Sequence, residues 1–514
     1  MAVNVIVYGP PGAGKTSAGQ ELARRRGQTF VDLDARLEAR TGRTIPQLFA
    51  EHGEAEFRRL EAALCAELAA QSDLVIAPGG GALLDPASRA ALERSGVVIC
   101  LRAEPAALLA RLQAAGGRPL LAGPDPAARL DALLAARRAL YDSFPEQVET
   151  TGRDVAAVAD QLQAALAPRT IPVDAPGLQH VIELGYGLVE RLPARLAERG
   201  LTGPALLVTD TAIAQARPLP AGLPVVTVPA GEAHKTLETI RGLYEAFLAH
   251  GLDRAGLVIA LGGGVLGDMA GFAAATYMRG VRWVNAPTTL LAMVDASLGG
   301  KTGVDLPQGK NLVGAFHPPA VVMTDPLALS TLPAPERAAG LAEVIKHGLL
   351  DEPALFAELE AGRAFGSLAQ LERAIRVKVR VVEADPFERG RRALLNLGHT
   401  LGHGVEAASG FRLRHGEAVA VGLAGETRLA EQLGLARPGL AVRVSAVLER
   451  AGLPTRCPGL DPAAVRAAMS SDKKKAGGRL KFALARDVGD AVWGVEIDET
   501  LLAAELAALT QLQA

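Results

Sequence analysis

An apolar, β-branched run, Val3–Val7, leads straight into Gly9-Pro-Pro-Gly12-Ala13-Gly14-Lys15-Thr16, and a stretch of helical character, Ser17–Arg26, follows at once. Few local patterns restrict a fold more: strand, GxxxxGK[ST] loop and helix in register predict a parallel sheet with the loop at the carboxyl end of its first strand. Such a loop turns successive backbone N–H groups toward phosphate oxygens at a helix N-terminus, with Lys15 over the β/γ-phosphates and the Thr16 hydroxyl toward Mg²⁺. Gly9, Gly12, Ala13, Gly14, Lys15, Thr16 and Ser17 are therefore the expected contacts to a nucleoside triphosphate. A later Gly299-Gly300-Lys301-Thr302 is no second copy, because the position six before its lysine is Asp295.

Short strand-like runs (Leu74–Ala77, Val97–Leu101) keep alternating with Ala/Leu/Arg-rich helical stretches to about residue 165. Residues 167–177, APRTIPVDAPG, hold three prolines and no apolar period, and a linker is expected there. Beyond it come further strand-like runs (Ala205–Val208, Val225–Val228, Leu257–Leu261, Val321–Met323), then mostly helical periodicity from about Leu327. The expected architecture is α/β: a P-loop domain with a parallel sheet over 1–166, a linker over 167–177, a Rossmann-like α/β domain over 178–326 and an all-α domain over 327–514. A chain of 514 residues has room for that many cores.

Charge is nearly balanced, 54 basic against 56 acidic residues, which argues against a polyanion-binding surface and hence against nucleic acid as a partner. No apolar run approaches spanning length, so no membrane is expected, and the amino terminus lacks the features of an export signal. Cys65, Cys100 and Cys457 are scattered and form no CxxC, which fits a reducing, cytoplasmic setting.

What the front domain phosphorylates is read from Val31-Asp32-Leu33-Asp34, Glu56-Phe57-Arg58-Arg59, Gly79-Gly80-Gly81 and Arg118-Pro119-Leu120-Leu121. Two carboxylates, several arginines and a backbone-exposing triple glycine suit a small anionic polyol beside a γ-phosphate. In this order and spacing the segments resemble shikimate kinase over essentially the first 165 residues. The resemblance implies ATP and shikimate as substrates, Asp32 near Mg²⁺ and Asp34 on the ring hydroxyls as the candidate base. It further implies Arg58, Gly80, Gly81 and Arg137 gripping the carboxylate and ring, and Arg118 on a lid.

The rear half has its own loop, Gly262-Gly263-Gly264-Val265-Leu266-Gly267-Asp268, after the run Leu257–Leu261. It satisfies G-x-G-x-x-G but lacks the usual acidic residue about twenty positions on, which leaves Asp210 as a candidate adenosine contact. Metal-ligand candidates follow: Glu343, then His399, His403 and His415 within seventeen residues. By spacing alone, His399 and His403 share a helix face, and a glutamate with histidines suits Zn²⁺. Lys235, Lys301, Lys310, Lys346 and Lys378, with Arg279 and Arg392, add a cationic set suited to a phosphorylated, carboxylated substrate.

The segments Val294-Asp295-Ala-Ser-Leu-Gly-Gly-Lys301, Gly309-Lys-Asn-Leu-Val-Gly-Ala-Phe316, Leu395-Asn396-Leu-Gly-His399-Thr-Leu-Gly-His403 and His415-Gly-Glu-Ala-Val419 resemble 3-dehydroquinate synthase, and the likeness runs from about 178 to about 500. It implies Glu343, His399 and His415 as ligands to Zn²⁺ or Co²⁺, in place of the helix-mates, with His403 as a substrate contact or acid/base group. It implies NAD⁺ contacts from Asp210, Glu232, Lys235, Gly263, Gly264, Asp268, Thr288, Thr289, Lys301 and Lys310. Substrate contacts would be Arg279, Asp295, Lys301, Lys310, Asn311, Lys346, Lys378, Arg392, Asn396 and one of Lys473 or Lys474. The substrate would be 3-deoxy-D-arabino-heptulosonate 7-phosphate, and the rear half is expected to form a homodimer.

Ala296, Asp305 and Met293 depart from residues frequent in that family. A competing reading makes the P-loop a nucleotide sensor and the rear half a metal-dependent polyol dehydrogenase, which would not need Lys301, Lys310 and Lys378. A third makes the front half catalytically dead, and it predicts the loss of Lys15, Asp34 or Arg118, all of which are present.

Overall fold

Parallel strands buried on both faces read as unbroken apolar runs, and the first of these is β1 (Asn4–Tyr8), buried at every position. The structure, a computed structural model, describes residues 3–115, 125–471 and 480–511. They form two compact units, the first built from the chain up to Pro168 with 185–187 and 363–369, the second from the remainder.

In the first unit β1 is joined by β2 (Thr29–Asp32), β3 (Leu74–Ala77), β4 (Gly96–Arg102) and β5 (Glu146–Glu149) in the order β2-β3-β1-β4-β5, all parallel. Alternate residues of β1 feed opposite layers: Val5 and Val7 pack with Leu22, Leu108 and Leu162, whereas Ile6 and Tyr8 pack with Leu33, Leu64 and Phe144. From β1 the chain goes first to β2 and β3 on one side and then to β4 on the other. That reversal opens a crevice at the carboxyl end of β1, where the Gly9–Thr16 loop leaves.

The second unit carries β6 (Arg169–Val173), β7 (His180–Leu184), β8 (Ala205–Asp210), β9 (Val225–Val228), β10 (Leu257–Gly262), β11 (Arg282–Pro287), β12 (Lys301–Leu306), β13 (Gly309–Phe316) and β14 (Val321–Thr324). Its seven-stranded sheet runs β6-β7-β14-β11-β10-β8-β9, with only β6 antiparallel to its neighbour. Here the reversal falls between β8 and β10, so Asp210 and the Gly262–Gly264 loop sit at one crevice. The antiparallel β12–β13 ribbon stands apart from that sheet.

Two expectations are corrected. The stretch 167–177 is not merely a linker, because β6 lies within it and pairs with β7 from Arg169 to Val173. Pro172 is tolerated because an edge strand leaves one row of backbone groups unpaired. The region after 327 is not all-α either: β15 (Phe482–Asp487) and β16 (Asp490–Val495) form an antiparallel hairpin there.

Otherwise that region is helical, and four helices matter for function: Ala334–Asp351, Leu368–Ala384, His399–Ala408 and His415–Gln432. The last two approach so closely that a Cβ on Gly422 would stand 1.8 Å from the Gly398 carbonyl oxygen. Among the described residues no helix is long and apolar enough to cross a membrane.

Candidate functional site

In the first unit the phosphate loop is held by glycine conformations: Gly9 has φ +139° and a Cβ there would lie 2.5 Å from the Leu101 carbonyl oxygen. Lys15 Nζ donates to the Gly9 and Pro10 carbonyls at 3.0 and 3.1 Å, folded back over its own loop. Thr16 Oγ1 donates to Asp32 Oδ2 at 2.8 Å, which joins the two residues expected near Mg²⁺ in one cluster of hard oxygens.

Beside the loop, the triple glycine is a floor crowded from above. A Cβ on Gly79 would meet Asp34 Oδ1 at 2.9 Å and Glu61 Oε1 at 3.0 Å, one on Gly80 would meet Arg137 Nη1 at 3.4 Å, and one on Gly81 would meet Arg58 Nη1 at 2.7 Å. Arg137 donates to the Gly80 carbonyl at 2.7 Å. Asp34, Arg58, Arg137, Gly80 and Gly81 are thus brought together. Glu61 was not expected: it is buried and accepts from Arg58 Nη1 at 2.6 Å. Burial pushes its carboxyl up against the opposing pull of Arg58. Arg118 lies outside the described residues.

In the second unit the crevice between β8 and β10 opens into a cavity of about 500 Å³ lined by Asp210, Gly263, Gly264, Thr288 and Thr289, among others. The helix Gly264–Thr276 starts there. The Thr288 hydroxyl is buried and has no hydrogen-bond partner, so a polar ligand would satisfy it.

A second cavity of about 550 Å³ is lined by Asp268, Asp295, Lys301, Asn311, Lys346, Lys378, Glu388, Arg392, Asn396 and His399. Asp295 sits on a π turn, Ala292–Ala296, and accepts from Lys378 Nζ at 2.8 Å. Burial opposes its ionisation, but Lys378 and then Lys346 outweigh burial and hold the carboxyl below the usual range. Lys235 donates to Asp268 at 2.7 Å and to Asn311 at 2.6 Å, and Lys301 pairs with Glu388.

Lys310 turns instead to Glu406 at 3.1 Å and Glu232 at 3.4 Å. Lys301 lines this second cavity, and neither it nor Lys310 is among the residues lining the Thr288 cavity. Arg279 is exposed with φ +68° and is not among the residues lining either cavity. Lys473 and Lys474 lie outside the described residues.

Glu343, His399 and His415 converge, with ligand atoms within 4.8 Å of one another; His399 lines the second cavity and His415 the Thr288 cavity. Glu343 Oε1 is 3.3 Å from His399 Nε2 and 3.7 Å from His415 Nε2. Ligands about 2.1 Å from a tetrahedral Zn²⁺ stand about 3.4 Å apart, so these spacings fit a divalent ion. Glu343 is fully buried and ion-paired with Lys346 through one oxygen, while the other faces the two histidines.

His399 Nδ1 lies 3.0 Å from the Leu397 carbonyl, which can only accept, so the ring proton is on Nδ1 and Nε2 offers its lone pair. Burial and Lys346 push the His399 imidazole down to about 4. Burial would also lower His415, but Glu343 and Glu406 push it up to about 9. His403 is exposed, its ring 5.3 Å from that of His399, and the naive helix-mate pairing does not form the buried cluster. Glu426, also unforeseen, is buried and accepts from the Gly398 and Leu401 N–H groups at 2.5 and 3.0 Å, replacing the cap that Gly398 cannot supply.

Comparison with known proteins decides between the readings. The sequence pattern described as shikimate kinase matches residues 11–167, and those for the N-terminal and C-terminal parts of 3-dehydroquinate synthase match 225–339 and 340–475. The 3-dehydroquinate synthase of Symbiobacterium thermophilum is 47% identical over 349 residues, covering 62% of this chain and 97% of that protein. The chain belongs to the 3-dehydroquinate synthase family. It is a fusion: a shikimate kinase domain precedes the synthase domains, and the polyol dehydrogenase alternative is not favoured.

The synthase of Halorhodospira halophila is likewise 47% identical, over 338 residues, covering 63% of this chain and 95% of the relative. Among solved structures, ValA, a 2-epi-5-epi-valiolone synthase from Streptomyces hygroscopicus subsp. jinggangensis with NAD⁺ and Zn²⁺ bound, is 30% identical with a TM-score of 0.58. That match covers 64% of this chain and 96% of that chain.

Proposed function

We propose that the first unit transfers the γ-phosphoryl group of ATP to a shikimate hydroxyl and that the second converts 3-deoxy-D-arabino-heptulosonate 7-phosphate to 3-dehydroquinate and phosphate. The observation that carries the second reading is the convergence of Glu343, His399 and His415 beside a cavity lined by Lys301, Lys346, Lys378 and Arg392.

In the kinase unit the contacts support the following roles. The loop N–H groups and Lys15 hold the phosphates, Thr16 and Asp32 would hold Mg²⁺, and Arg58 and Arg137 take the shikimate carboxylate. Asp34, beside the glycine floor, takes the proton of the attacking hydroxyl. Gly81→Ala would push the Arg58 guanidinium aside, since the new Cβ falls 2.7 Å from Nη1. A hydrogen bond to a charged group carries about 1.5–3 kcal/mol, so the KM for shikimate should rise by roughly ten- to a hundredfold with the KM for ATP unchanged. Steady-state kinetics checks this, and an unchanged shikimate KM would remove Arg58 from the site.

In the synthase unit Glu343, His399 and His415 would hold Zn²⁺ or Co²⁺, which when bound supplies Lewis-acid polarisation of the substrate alcohol. The Asp210–Thr289 cavity would hold NAD⁺, which supplies reversible hydride acceptance. The chain's own part is positioning. Lys301, Lys346, Lys378 and Arg392 fix the phosphate and carboxylate, Asn396 lines the same cavity, and Asp295 keeps the Lys378 ammonium aimed inward. Held this way, the substrate phosphate can itself remove the proton beside the transient ketone. His403, exposed on the helix that carries His399, would exchange protons with the substrate.

Homodimerisation through the synthase half and a cytoplasmic location belong to the same proposal; the buried, free Cys65, Cys100 and Cys457 suit a reducing compartment. Chelator treatment is expected to abolish phosphate release and Zn²⁺ or Co²⁺ to restore it, with no NADH accumulating at any stage. Net NADH formation without phosphate release would instead establish a simple dehydrogenase.

A further inference from the structure

We infer that Glu406 is a positioning residue for the metal centre, fixing the ring of His415 through the nitrogen that faces away from Glu343; this rests on the metal-binding reading above. His415 Nδ1 is 3.2 Å from Glu406 Oε2, while its Nε2 faces Glu343 Oε1. A carboxylate only accepts, so this contact keeps a proton on Nδ1 and leaves Nε2 as the nitrogen that faces Glu343 and is free to take a metal. His399 receives the same service from a main-chain carbonyl, that of Leu397. One ligand is therefore oriented by backbone and the other by a replaceable side chain.

Glu406 is built to hold still. It is 8% exposed, it lies seven positions after His399 on the same helix and so near the same face, and its other oxygen accepts from Lys310 Nζ at 3.1 Å. Lys310 is itself steadied by Glu232 and by the Phe411 ring, 4.6 Å from its Nζ. Both oxygens are thus engaged, one by Lys310 and the other by His415. Loss of the carboxylate frees the His415 ring to rotate and to carry its proton on either nitrogen.

The test uses the full-length chain with NAD⁺, stripped of metal, in competition with a chromophoric chelator for Zn²⁺. Glu406→Gln, which keeps the size of the side chain, should bind Zn²⁺ roughly ten- to a hundredfold more weakly. It should also alter the visible absorption of the Co²⁺-loaded chain while leaving the unfolding midpoint of the metal-free chain in place. Wild-type Zn²⁺ affinity in this variant overturns the inference. His399→Ala separates the layers: if it loses Zn²⁺ while Glu406→Gln keeps wild-type affinity, the centre stands and the role of Glu406 falls. If His399→Ala also binds as wild type, the centre itself is misplaced and both readings fall. Should Glu406→Gln fail to fold, Glu406→Asp, which withdraws the carboxylate by one methylene, is read in the same way.

Discussion

In the His399→Ala chain, phosphate release from 3-deoxy-D-arabino-heptulosonate 7-phosphate is expected to fall by about a thousandfold or more, while phosphorylation of shikimate stays at its wild-type rate. Lewis-acid polarisation contributes several kcal/mol to stabilising developing charge, and about 4 kcal/mol corresponds to a thousandfold in rate. Removing His399 leaves Glu343 paired with Lys346, so no buried charge is stranded, and alanine is a good helix former in the first turn of His399–Ala408. Glu343→Gln would be a poorer probe, because it would leave Lys346, 1% exposed, without its carboxylate. Parallel assays of both activities and of bound metal check the expectation. Phosphate release within tenfold of wild type would exclude His399 from the metal centre.

Asp34→Asn should lower the turnover of shikimate by roughly a hundred- to ten-thousandfold, the usual reach of a general base, while the synthase activity is unaffected. Asparagine keeps the shape that Gly79 accommodates, where Asp34 Oδ1 would come within 2.9 Å of any added Cβ. The cradle of Arg58, Glu61 and Arg137 should therefore persist, and only the capacity to take a proton is lost. The diagnostic result is a fall in kcat with the ATP KM unchanged. A variant that retains more than a tenth of wild-type turnover would mean that the hydroxyl proton goes elsewhere.

What the sequence makes legible follows from burial. The strands β1, β3, β4, β8, β10 and β14 are apolar, β-branched runs because they are covered on both faces. The strand β6 escapes notice because Pro172 and its neighbours read as a breaker, and only an edge position makes proline harmless. The hairpin of β15 and β16 is missed because two short strands inside a long helical region carry too little periodicity to stand out.

The sites divide in the same way. Loops of fixed chemistry, Gly9–Thr16 and Gly262–Gly267, announce themselves, whereas spacing alone favours His399 with His403 over the buried trio that includes His415 and Glu343. Long-range convergence of three helices leaves no local signal. Glu61, Glu406 and Glu426 are invisible for a related reason. An acidic residue on an Ala- and Leu-rich helix reads as a solvent-facing position, yet these three are buried at 3%, 8% and 0% exposure, with partners from 3 to 96 positions away along the chain. The exposed, half-paired cations Lys301 and Lys310 show the converse, since only the fold reveals that Glu388 and Glu406 already hold them.

The most direct test of the fusion is to assay one purified preparation of the intact chain for both reactions: ATP-dependent phosphorylation of shikimate, and phosphate release from 3-deoxy-D-arabino-heptulosonate 7-phosphate. Both activities should be present in constant ratio across a purification peak, with the second alone lost to a chelator of Zn²⁺ and restored by the metal. A chain that releases phosphate but never phosphorylates shikimate, or one that does the reverse, would contradict the assignment of two working enzymes to one polypeptide.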